Sequence, residues 1–600
     1  MPNYISKYWI PIILITTYLY IASKYLINWD INLSSDTVLI GLMAKSVIDH
    51  GDYPLFVWKV GYQGILLVVY LTSLIFKLFE ASPFYLNFAP CFYLGLMIYF
   101  YYKLIKVVHD YQLAFVSSLV LIFSSPSFYH LFCRTMPNFA ESSLLGILSI
   151  LFYIKSLNKY YGIPSENNKC TIFISGLFAG LSMYTFELSI YYLGCILIHF
   201  TLIIAFANFK LFNNFKNYVK FPNTTFKSVY TKYIFFLFDC LFIIIIAVDL
   251  MRRFFFEERL LFLMGRDDWP SDFNYMYGFF YFVLFLISRN IYILYRLKNY
   301  INIYKRFLKD LIYFIIGFVL IYFPPILYYR LILEIGHRKN MKFEINLERI
   351  SKNIHLYNEN HNALLSVFDV KYFGYLIGLM LCVSVLLLFN QLFKIIKKYK
   401  NNKIINFNDN LIIIYASFPF IILSLFLMLP SHYVSLRYLA PLSLFYSSIV
   451  FYWIFLISNK KLKKATLAII TVMIVLFGYK SIKSDIDLNK GINFEKIQNQ
   501  INTLDKLGIT KLYGDYWLSY PISFITKERI IIEPLYTNYN PYYLPIIKTE
   551  NKVGLIIFKN SKYDPLNKNY TDIYDVKYKI EDKHEISSDV VIYELSKITI

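Results

Sequence analysis

VGYQGILLVVYLTSLIFKLF, residues 60–79, is the stretch on which the architecture of this 600-residue chain turns. By length it reads as a helix able to cross a hydrocarbon core about 30 Å thick, for which about 20 apolar residues suffice. The lysines elsewhere argue for another placement. They cluster in short linkers: Lys210, Lys216 and Lys220; Lys298, Lys305 and Arg306; Lys394, Lys397, Lys398 and Lys400; Lys460, Lys461, Lys463 and Lys464. Cationic linkers of this kind mark cytoplasmic loops. With a cytoplasmic N-terminus, counting 60–79 as a crossing puts every cluster outside, whereas laying it in the outer interface puts every cluster inside. Its Gly-Tyr-Gln-Gly start at 61–64 and mid-stretch Lys77 suit an interfacial helix. Residues 30–83 then form one long outer loop holding short juxtamembrane helices.

The rest of the chain supports a membrane class. It is 57% hydrophobic, 20% aromatic and 16% charged, against roughly half apolar and a quarter charged in soluble domains. Stretches such as LIIIYASFPFIILSLFLML (411–429) are apolar all round, and without water their backbone must be helical. The predicted spans are 8–29, 84–102, 111–131, 138–156, 171–187, 189–208, 233–250, 275–295, 311–330, 371–391, 411–429, 439–457 and 465–482. The fold expected is a polytopic α-helical membrane protein of about 13 transmembrane helices, with the N-terminus cytoplasmic and the C-terminus outside. The long outer segments are 30–83, 251–274 and 331–370.

Composition changes at Ser484, dividing 1–483 from a polar region 484–600. NFEKIQNQINTLDKLG (493–508) has helical spacing and a terminal glycine, and ITKLYGDY, ERIIIEPL, KVGLIIFK and DVVIYEL read as short strands. A small extracytoplasmic α/β domain is predicted. The net charge of +21 sits in the membrane linkers and gives no reason to expect nucleic acid. The six cysteines are scattered without C-x-x-C spacing, so neither a disulfide framework nor a zinc site is indicated.

Charged residues near the outer face are the informative ones, since burying them is costly. Asp36 opens an amphipathic segment, LSSDTVLIGLMAKSVIDHGDYP (33–54), where it reads either as a functional acid or as an N-cap or helix-dipole partner. The 251–274 loop interleaves Arg252, Arg253, Arg259 and Arg266 with Glu257, Glu258, Asp267 and Asp268; it suits phosphate, or a self-paired interfacial helix. Arg134, Glu141, Glu187 and Arg437 read more readily as anchors or structural ion pairs than as cavity residues.

In its outer loop the chain resembles the GT-C superfamily of membrane glycosyltransferases, which includes protein O-mannosyltransferases and aminoarabinose–lipid A transferases. The likeness is carried by Asp36, GLMAKSVIDHGDYP (41–54) and Tyr62-Gln63-Gly64. It continues through LFEASPFYLNFAP (78–90), GLFAGLSMYTFELSIYYL (176–193), RYLAPL (437–442) and LYGDYWLSYPISFITKERIIIEP (512–534). The resemblance implies transfer of a sugar from a polyprenyl-phosphate donor to a glycan, lipid or protein acceptor on the outer face of the cytoplasmic membrane. It implies Asp36 as the catalytic residue, with Arg252, Arg253, Arg259, Arg437, Tyr62 and Gln63 as substrate or phosphate ligands. Many members carry a second carboxylate beside the first or after the Y-x-G. Here Thr37 follows Asp36, and ILLVVY follows Gly64, while Asp49 and Asp52 do not match that position. No cofactor is therefore required by the pattern, though it is compatible with a divalent cation. A flippase for lipid-linked sugars and a catalytically silent, glycan-binding scaffold are the alternative readings.

Overall fold

A computed structural model of the chain describes residues 2–58, 64–135, 138–157, 168–186, most of 189–199, 301–332, isolated positions between 383 and 450, and 451–598 with short gaps. The spans expected at 233–250, 275–295 and 411–429, and the loops 251–274 and 331–370, lie wholly or almost wholly outside the described residues.

Among the described residues, four helical stretches are long and apolar enough to cross a membrane: Trp9–Ile27, Pro83–Val108, Phe139–Leu157 and a run from Lys460. The first belongs to α1 (Pro2–Ile27). The first loop then supplies α2 (Ser35–Asp49) and α3 (Leu66–Leu78). The bundle continues through α4 (Pro83–Leu86), α5 (Phe88–Val108), α6 (Tyr111–Ile122), α7 (Pro126–Phe132), α8 (Phe139–Leu157), α9 (Asn168–Thr185) and α10 (Ile301–Ile332). Within the described part of the 60–79 stretch, Leu66–Leu78 form a helix of 13 residues, too short to span a bilayer by itself.

The span expected at 111–131 is not straight. Helices α6 and α7 meet at 84°. Pro126 cannot continue a helix hydrogen-bonded to the preceding turn, and Ser125 caps the new one by accepting from the Phe128 N–H. The bend turns α7 toward α11 (Lys460–Asn489), which runs past the composition change at Ser484. Gly491, at φ 81°, links it to α12 (Ile492–Leu507).

A six-stranded sheet follows, in the order β2-β1-β3-β6-β5-β4. Strands β1 (Lys511–Gly514), β2 (Ile531–Pro534) and β3 (Lys552–Phe558) are parallel. Helix α13 (Tyr516–Ile525) joins the first two strands, and α14 (Tyr543–Lys548) precedes the third. The remaining strands, β4 (Tyr570–Ile573), β5 (Val576–Glu585) and β6 (Val590–Lys597), pair antiparallel. The α/β character read from the sequence is therefore present, with two more strands than the four apolar runs predict. β4 and β5 form a hairpin whose turn, Tyr574-Asp575, holds both residues at positive φ.

The sheet does not stand apart from the first loop. Val38, Leu42, Val69 and Phe76 are buried in the same apolar core as Tyr520, Phe524, Leu555 and Tyr578. Lys45 forms an ion pair with Glu528, Lys527 one with Glu80, and Tyr542 donates to Asp52 at 2.5 Å. Helix α2 is thus held between the bundle and the C-terminal sheet.

Candidate functional site

Asp36 lies in the first turn of α2. Ser34 occupies the N-cap: its hydroxyl accepts from the Thr37 N–H at 3.3 Å. Capping therefore leaves the Asp36 carboxylate uncommitted to the helix end. It accepts instead from the Tyr516 hydroxyl, at 2.5 Å, across 480 residues of sequence. Asp515 positions that tyrosine by capping α13 through the Trp517 N–H, and Ser35 donates to the Tyr516 carbonyl at 2.5 Å. Burial, and then the Asp36 carboxylate, hold the Tyr516 phenol far above its ordinary pKa, so it stays a proton donor to the acid.

The second charged group is Arg134, in the short link between α7 and α8. Thr135 donates to the Thr37 carbonyl at 3.0 Å, which clamps this link against the start of α2. Burial pulls the Arg134 guanidinium below its ordinary pKa, while the Asp36 carboxylate pulls it back up. Its Nε is buried with no hydrogen-bond partner among the described residues. A guanidinium taken out of water without a close partner is expensive to keep. Arg134 also lines a cavity of about 340 Å³, together with Ser127, His130, Leu131, Asn489 and Asn493.

The other polar walls of that cavity are already engaged. His130 pairs with Asp485 at 3.1 Å, and Asn489 donates to the same carboxylate at 2.9 Å. Asn493 donates to the Asp30 carbonyl, and the Gly491 N–H to the Asp30 carboxylate.

Of the residues expected from the sequence, Asp36 stands in this arrangement. Tyr62, Gln63, Arg252, Arg253, Arg259 and Arg437 lie outside the described residues. Gly64 of the Y-x-G is described: its N–H donates to the Tyr184 carbonyl at 2.9 Å and its carbonyl accepts from Asn138 at 3.1 Å. A Cβ at Gly64 would overlap the Tyr184 ring, which explains the glycine. Asp49 pairs with Lys45, and Asp52 with Ser46 and Tyr542. Asp49 is thus engaged within its own helix, and Asp52 in docking Tyr542. Glu141 is buried on α8, where Thr185 donates to it at 3.5 Å.

A divalent cation at Asp36 would need further oxygen or imidazole ligands. The described neighbours are a phenol and a guanidinium, and that donor set does not fit a cation. Asp582, His584 and Glu594 bring ligand atoms within 4.8 Å of one another on β5 and β6, a different part of the sheet.

No family model matches the sequence, and no curated protein matches it. Solved structures do. The chain is similar to the oligosaccharyltransferase AglB from Archaeoglobus fulgidus, solved with an inhibitory peptide and a dolichol-phosphate: 12% identity, TM-score 0.49, covering 92% of this chain and 70% of that one. It is similar also to ArnT from Cupriavidus metallidurans, in the apo state (10% identity, TM-score 0.35) and bound to undecaprenyl phosphate (9%, 0.31), each covering 96% of this chain and 97% of the other.

Proposed function

We propose that this chain is a membrane glycosyltransferase that moves a sugar from a polyprenyl-phosphate donor to a hydroxyl of a glycan, lipid or protein. The observation that carries the reading is the state of Asp36. It is a half-buried carboxylate released from capping by Ser34, held by the Tyr516 hydroxyl at 2.5 Å, with an arginine nearby. The sequence motifs of the first loop support the same assignment.

In this mechanism Asp36 accepts the proton of the acceptor hydroxyl as its oxygen attacks the anomeric carbon in line. The bond from that carbon to the phosphate oxygen breaks, and polyprenyl phosphate leaves with the bonding electrons. A fixed, half-buried carboxylate suits that role, because a base held in one orientation lowers the barrier. Arg252, Arg253, Arg259 and Arg437 are proposed to meet the lipid phosphate, and Tyr62 and Gln63 the substrate. The protein then sits in the cytoplasmic membrane among lipids, with its N-terminus inside. Region 1–483 is the membrane domain, and 484–600 the domain on the outer face.

The test is to incubate the purified protein with a panel of polyprenyl-phosphate sugars and score free polyprenyl phosphate. Release with one donor, dependent on an acceptor hydroxyl, is expected. Absence of release from every donor, beside an active relative as control, would remove the reading.

A further inference from the structure

Strands β5 and β6 bring two carboxylates and an imidazole together on one face of the C-terminal sheet. Asp582 stands directly opposite Glu594 in the antiparallel register, and His584 follows Asp582 by two residues, so the three side chains leave the same face. Lys583, between them, takes the other face and lies over the Tyr593 ring. A bulge between Ile580 and Asp582 sets this alignment. It leaves Glu581 to pair with Lys579 at 3.1 Å and to accept from Ser596 at 2.5 Å. Asp582 Oδ1 accepts from the Lys583 N–H at 2.7 Å, and Oδ2 is the oxygen turned to the imidazole. Like charges directly opposite each other on a ladder repel. Among the described residues no lysine or arginine pairs with Asp582 or Glu594; their ion-pair partner is His584, at 3.6 Å and 2.7 Å. Even protonated, that imidazole sets one positive charge against two negative ones.

We infer that Asp582, His584 and Glu594 form a binding site for a divalent transition-metal ion, and that the ion is zinc. An imidazole nitrogen with carboxylate oxygens is a zinc donor set, whereas calcium and magnesium take oxygen alone. Tetrahedral zinc with bonds of about 2.0–2.2 Å places neighbouring ligand atoms about 3.3–3.6 Å apart. The His584–Asp582 separation of 3.6 Å already meets this, and the His584–Glu594 separation of 2.7 Å has to open by less than an ångström, within reach of a small side-chain rotation. Side-chain exposure rises from 27% at His584 to 40% at Glu594 and 65% at Asp582, so the ion enters from solvent and keeps a fourth position for water. Bound there, it turns a repelling cross-strand pair into a brace between β5 and β6. The inference stands apart from the transferase reading.

The experiment titrates zinc into the full-length protein in detergent, after EDTA treatment and removal of the chelator. Free zinc is read with a chromophoric chelator, and amide hydrogen exchange is followed in β5 and β6. The wild type should bind zinc at this site and exchange more slowly in both strands when it does, because an ion held only by the folded sheet stabilises it. H584A and E594Q should each weaken the site by about tenfold or more and lose the slowing. E594Q keeps the shape of the side chain, which guards against misfolding of H584A. K583A alters the opposite face and should bind zinc as the wild type does. Zinc binding and exchange that are the same in wild type, H584A and E594Q overturn the inference, since any zinc taken up then lies elsewhere. A wild type whose β5 and β6 exchange ignores zinc overturns it as well. So does displacement of zinc by an equal concentration of calcium or magnesium, which would mark a site read by oxygen alone.

Discussion

At the scale of single residues, a carboxylate and a phenol meet across 480 positions of sequence. Tyr516→Phe keeps the ring and its packing but deletes the proton donated to Asp36. Turnover is expected to fall about tenfold, close to 1.4 kcal/mol in the barrier, with apparent donor affinity unchanged. A change in affinity with turnover intact would make the tyrosine a binding group instead. Because the described neighbours of Asp36 do not fit a divalent cation, transfer should also survive chelation by EDTA. A rate abolished by EDTA and restored by manganese would contradict that. Asp36 was legible in the sequence as an acid placed just after the first span, although its spacing equally suited a cap. Only the Ser34 hydroxyl on the Thr37 N–H separates those readings. Arg134 was not legible. An arginine between two apolar runs looks like a snorkelling anchor, and nothing local announces that Thr135 will hold it against Thr37, 98 positions away.

At the scale of elements, helix packing follows small residues. A Cβ at Gly176 or Gly180 of α9 would strike the backbone of Phe314 or Phe318 on α10, and one at Gly317 would strike Phe173. Such close approach suits helix pairs in lipid, where tight packing replaces the hydrophobic drive of water. Gly176→Leu should therefore cost about 1–3 kcal/mol through overpacking that a backbone cannot relieve. It should lower the thermal midpoint in detergent clearly, while Leu320→Ala on the exposed face of α10 leaves it in place. Equal midpoints for all three proteins would show that the seam does not support the fold. The four β-runs with continuous apolar residues were readable, whereas β4 and β5 were not. β5 is largely exposed and polar, and its hairpin turn uses Tyr574-Asp575 in place of the usual Asn-Gly signal. The 84° break at Ser125-Pro126 was likewise hidden inside an apolar run.

At the scale of the whole molecule, the first loop and the C-terminal sheet share one core, and ion pairs fix their alignment. Burial works against the charge of Lys45, yet its contacts with Glu528 and Asp49 raise its pKa on balance. Glu528→Gln should loosen docking by about 1 kcal/mol, since the pair is partly exposed, and speed limited proteolysis between α12 and β1. An unchanged cleavage rate would make the pair incidental. The proposed topology has its own check. Cysteines introduced as F56C and A81C flank α3 and should both react with an impermeant thiol reagent from the same side, whereas opposite accessibility would make 60–79 a crossing. Composition and the lysine linkers made the membrane class readable, but the shared core depends on contacts more than 400 residues apart and leaves no local trace.

Sugar transfer is proposed to take place at Asp36. The most direct measurement compares wild type with D36N for release of polyprenyl phosphate from the donor that the wild type uses, at matched expression and thermal midpoint. A loss of at least about a hundredfold is expected in D36N with folding intact. Wild-type turnover in that variant would contradict it.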